Sequence, residues 1–77
     1  MSIAEQAKAV YETELKAKLE RENRDQYVAI EPVSRSFFVE REFVDAAMAA
    51  KKAYPDRRSF VIGIGHEAVF YIGTGRT

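Results

Sequence analysis

The string Gly63-Ile64-Gly65-His66-Glu67-Ala68 holds the residues of this chain whose types and spacing come nearest to chemistry. Gly63-x-Gly65-x-x-Ala68 has dinucleotide-binding spacing, in which glycines let a pyrophosphate approach the backbone at the start of a helix. The next residues, however, are Val69-Phe70-Tyr71-Ile72, which is strand material, and too little chain remains after Ala68 for the further strand and the acidic ribose ligand that such a unit needs. The segment therefore reads as two strands folded back on each other about Gly65-His66-Glu67-Ala68. Glycines at 63 and 65 leave one face of the first strand bare, and Gly65 supplies the positive φ of a turn.

His66-Glu67 opens like the helical zinc motif H-E-x-x-H, but Phe70 stands where the second histidine belongs, and His66 is the sole histidine of the chain. With no cysteine there is no thiolate ligand, thiol nucleophile or disulfide. No serine or threonine has a credible histidine and acid partner set, and the carboxylates at Glu12 and Glu14, or Glu40 and Glu42, are two apart, a spacing that points them to different faces of a helix. No metal, cofactor or catalytic residue is expected, and the chain reads as a non-enzyme. The leading expectation is a surface that binds protein, and Gly65, His66 and Glu67 stay as the alternative, the tip of a ligand-binding or enzyme accessory subunit.

Twelve lysines and arginines balance twelve aspartates and glutamates over 77 residues, so no net field draws in nucleic acid or an anionic membrane. Arg57, Arg58 and Arg76 could gather at one end of a sheet with Arg35 or Arg41, but Glu31, Glu40, Glu42, Asp56 and Glu67 lie in the same stretches and cancel them. No run of apolar residues is long enough to cross a bilayer, and the start lacks the basic and apolar regions of a signal peptide. Together with the absence of cysteine, this gives cytoplasmic placement as the expectation.

The elements that must position any site begin with a long helix over residues 1–23, rich in Ala, Glu, Lys and Leu and free of Gly and Pro. Ser2 and Glu5 have capping-box spacing, and Glu12 with Lys16, Glu14 with Lys18 and Glu20 with Arg24 run acid before base at four-residue intervals. Ile3, Ala7, Val10, Tyr11, Leu15 and Leu19 form an apolar stripe. The helix would be about 30 Å long, so its first turns are expected to overhang so small a core, and its stripe is left to cover the chain's own sheet, a second copy of the chain or a different protein.

Residues 26–74 read as a β-β-α-β-β unit. Gln26 to Glu31 and Ser36 to Glu40 form a hairpin about Pro32-Val33-Ser34-Arg35, a helix runs from Glu42 to Ala53, and two further strands come after Pro55-Asp56. A right-handed crossover then gives an α+β fold in one domain, 1–77, with a four-stranded antiparallel sheet of order 2-1-3-4 and a helix on one face. Aromatic residues at adjacent positions, Phe37 with Phe38 and Phe70 with Tyr71, point to opposite faces, so both faces should be at least partly covered.

The strings Tyr27-Val28-Ala29-Ile30-Glu31-Pro32, Ala53-Tyr54-Pro55-Asp56 and Val61-Ile62-Gly63-Ile64-Gly65-His66 resemble a group of small prokaryotic proteins that carries no assigned activity. Residues 27–54, with a hairpin opening on Tyr27-Val28-Ala29 and an alanine-rich helix after it, are similar to the antitoxin of the HicAB toxin–antitoxin pair. Where that family has a Gly-Asp-Thr helix entry, this chain has Val39-Glu40-Arg41-Glu42. The likeness implies a hairpin-helix sheet used to grip another protein. The expected function is thus a small protein-interaction module, acting as a homo-oligomer or as a subunit of a larger assembly.

Overall fold

Residues 2–65 and the backbone of Val69–Ile72 are described by the structure, a computed structural model. The chain opens with helix α1 (Ile3–Val10), whose capping box is formed. Ser2 Oγ accepts from the Glu5 amide at 3.1 Å, and Glu5 Oε1 accepts from the Ser2 amide at 3.0 Å. Two orphan donors of the first turn are thereby satisfied.

The helix is not uniform. A π-helical turn, Tyr11–Leu15, joins α1 to α2 (Lys16–Glu22), and the Lys16 amide donates to the carbonyl of Tyr11, five residues back. Thr13 Oγ1 donates to the Ala9 carbonyl at 2.7 Å, a local competition for backbone acceptors that favours bending. On an unbroken α-helix, at about 100° per residue, Leu15 and Leu19 would drift to about 120° and 160° from Ile3. The additional residue in the wide turn takes back about one residue's rotation and returns both leucines to the face of Ile3, Ala7 and Val10. The wide turn is what makes the stripe continuous.

Strands β1 (Tyr27–Glu31), β2 (Ser36–Glu40) and β3 (Ser59–Gly63) pair antiparallel with β1 at the centre, Ala29 opposite Phe38 on one side and Val61 on the other. Helix α3 (Phe43–Ala53) connects β2 to β3. Even-numbered β1 residues face the N-terminal helix, where Val28, Ile30, Phe60, Ile62 and Ile64 pack with Ala7, Val10, Tyr11, Leu15 and Leu19. Odd-numbered β1 residues face α3, where Ala29 and Val61 meet Ala46 and Ala50. Alanine on both sides lets α3 lie close to the sheet, with Phe43 edge-on to Tyr27 at 5.9 Å.

The expected architecture, a four-stranded sheet with a helix on one face, is corrected by this packing. The unit whose side chains are described has three antiparallel strands, β2-β1-β3, and carries helices on both faces. Backbone pairing continues from β3 to Val69–Ile72 (β4), in the order β2-β1-β3-β4, but the core is built from the other three strands. The N-terminal helix does not overhang, because the sheet face bearing Val28, Ile30 and Ile62 would otherwise stay open to water, and a cover joined to the same chain is the nearest at hand.

Candidate functional site

At the end of β1 a carboxylate is buried. Glu31 is 1% exposed, and its oxygens accept from the amides of Val33 at 3.0 Å and Ser34 at 2.8 Å and from Arg57 Nη1 at 3.3 Å. Its carbonyl accepts from the Arg35 amide at 2.8 Å. Burial by itself would raise this carboxyl's pKa, but the hydrogen bonds from Ser34, Val33 and Arg57 outweigh it and hold the group below the usual carboxylate range. Arg57 also lies 5.8 Å from the ring centre of Tyr54, whose hydroxyl is 2.8 Å from Ser36 Oγ. Hydrogen bonding to Ser34 and Ser36 pulls that phenol's pKa down. An ionised carboxylate this fully engaged is a poor general base. Its work is to clamp the β1–β2 turn, in which Arg35 takes a left-handed φ of 65° that only firm surroundings sustain.

A second polar node joins the N-terminal helix to the end of β3. The Tyr11 ring is buried, its hydroxyl donates to Glu20 Oε2 at 3.0 Å, and the hydroxyl oxygen in turn accepts from the Gly65 amide at 3.4 Å. Burial first, then Glu20, raise the phenol's pKa against the opposing effect of the Gly65 amide. Gly65 has a φ of 86°, and a side chain there would meet Arg24 at 3.4 Å. Tyr11→Phe leaves one amide and one carboxylate oxygen without this partner, and chemical denaturation should report a loss of about 1–2 kcal/mol with the fold intact.

The sequence-derived residues fall into separate places. Ala7, Val10, Tyr11, Leu15 and Leu19 are buried against the chain's own sheet, with Ile3 partly buried at their edge. Gly65 sits beneath Arg24, while His66 and Glu67 lie outside the described residues, as does Arg76. Of the expected helix pairs, Glu12 meets Lys16 at 3.4 Å. Glu14 pairs instead with Arg35, and the carboxylate of Glu20 serves Tyr11 while Arg24 Nη1 donates to its carbonyl. Arg35 and Arg57 are thus each matched to a glutamate, which neutralises that rim of the sheet.

Sequence reasoning missed the Glu31 clamp, placing that residue in a solvated charge rim. The available signal was an acidic residue ending an apolar strand two and three positions before turn amides. Also missed was the outer face of α3. Val44 is 60% and Met48 63% exposed, four residues apart and so neighbours on the helix surface. Met48 borders a shallow depression with Glu40, Asp45, Ala49, Lys51 and Lys52. The edge strand β2 adds Phe37, 45% exposed, on the other face of the sheet. Among the described residues there is no cluster of metal-ligating side chains and no helix long and apolar enough to cross a membrane.

Searches of protein-family models, of curated proteins and of solved structures find no match to this chain.

Proposed function

We propose that this chain is a small non-enzymatic protein-interaction module of the cytoplasm, acting as a homo-oligomer or as a subunit of a larger assembly, with the outer face of α3 as its contact surface. The observation that carries this reading is the adjacent exposure of Val44 and Met48 on a helix whose inner face is already occupied. The N-terminal stripe, engaged within the chain, no longer needs a partner to explain it. Large apolar side chains grouped on a helix and bordered by charges are the usual composition of a protein contact. The likeness of residues 27–54 to an antitoxin hairpin and helix supports the same use, since α3 lies within the shared segment.

The reading is tested by comparing the wild-type chain with a Val44→Glu, Met48→Glu double variant. Light scattering of each would be combined with cross-linking in an extract of its own cells. The wild type should exceed the mass of one chain or retain a defined protein, and the variant should lose that property while keeping its circular dichroism. A wild-type chain that is solitary at every concentration and retains nothing would end the proposal.

A further inference from the structure

The charges around the exposed α3 face suggest what occupies it. Val44, Met48, Asp45 and Lys52 lie on one side of the helix, because steps of three, four and seven residues return to nearly the same azimuth. Asp45 and Lys52, seven residues apart, stand on the same flank of the Val44–Met48 patch, in the first and last turns of α3 respectively. Both are exposed, and neither enters an ion pair among the described residues.

We infer that the partner at this face is a second copy of the chain, with the two α3 helices packed antiparallel about a twofold axis beside Met48. This rests on the reading of the face as a protein-contact surface. A twofold axis normal to the helix places each flank against the same flank of its partner, running in the reverse direction. The midpoint of Asp45 and Lys52 falls beside Met48, so that axis sets Asp45 against the partner's Lys52, and Lys52 against the partner's Asp45. The two apolar patches then meet between two ion pairs. In a parallel arrangement the twofold axis would run along the helices and set each flank against the opposite one, so Asp45 would not meet the partner's Lys52. Antiparallel helices also oppose their dipoles favourably. An 11-residue helix is about 16 Å long, so the contact is small and the dimer is expected to be weak and in rapid exchange.

The test uses two full-length charge variants. Asp45→Lys carries positive charge at both positions, and Lys52→Glu carries negative charge at both. Sedimentation equilibrium over roughly 10 µM to 1 mM should find the wild type dimerising within that range. Each variant alone should dimerise at least about tenfold more weakly, since two attractions become two repulsions. Mixing the variants in equal amounts should restore dimer, now as a heterodimer with both pairs matched. Separately, Met48→Glu, which leaves both charged positions in place, should remove the dimer.

Failure of the mixture to recover, with both variants folded by circular dichroism, would overturn the antiparallel register while leaving the interaction reading standing. If a charge variant does not fold, Met48→Glu decides: a dimer that survives it is not seated on this face. A wild-type chain that stays single up to 1 mM would overturn the second copy as occupant; retention of another protein by the same face would then keep the broader reading alive.

Discussion

Deleting Ala17 is expected to destabilise the chain by about 3 kcal/mol or more, whereas deleting Thr13 should change its stability by less than about 1 kcal/mol. Both positions are exposed on the N-terminal helix, so side-chain burial does not separate them. Thr13 lies within the π-turn, Tyr11–Leu15, and removing it leaves a plain α-helix on which Leu15 and Leu19 keep the phase of Ile3 and Val10. Removing Ala17 from α2 turns everything beyond it by about 100° relative to the sheet. Leu19 is then drawn out of its buried place, and Glu20 leaves the hydroxyl of Tyr11. Urea unfolding of the two deletions and the wild type would decide the matter. Equal losses from both would mean that the wide turn is not what sets the phase of the stripe.

Glu31→Gln should lower stability by about 2 kcal/mol at neutral pH, and the deficit should shrink in acid. The amide keeps one acceptor, but it brings donors towards Arg57 and towards the amides of Val33 and Ser34, which now donate to carboxylate oxygens. The folded chain holds this carboxyl below its ordinary range, so the unfolded chain takes up the proton first as pH falls. Glu31's contribution is therefore complete above the ordinary glutamate value, about 4.3, and is lost as pH drops through the folded value. Thermal or urea unfolding of both proteins at pH 7 and at pH 3 should show the gap narrowing. A gap of constant size would mean that packing at the turn, and not the ionised group, is what the substitution disturbs.

Features built from residues close in sequence were the readable ones. The capping box at Ser2 and Glu5 was legible because it joins residues three apart in one turn. The positions of β1, β2 and α3 were legible because Pro32 and Pro55, β-branched and aromatic runs and an alanine-rich run act locally. The Glu12–Lys16 pair survived for the same reason. The Glu14–Lys18 and Glu20–Arg24 pairs did not, because Arg35 and Tyr11, brought in from elsewhere in the fold, compete for the same carboxylates. The clamp at Glu31 draws on Arg57, 26 residues away, a distance no local pattern spans.

By itself the sequence determined the order and approximate placement of helices and strands, that the net charge is zero, and that thiol and multi-histidine chemistry are absent. Those are properties of residue types and short spacings. Tertiary structure alone decided that the N-terminal stripe belongs to the chain's own sheet, that a wide turn keeps it in phase, and that Val44 and Met48 are left facing water. Burial is a competition among all the apolar surfaces a chain possesses. Amphipathic spacing states that a face needs covering, but which surface covers it is decided only once every other face has been placed.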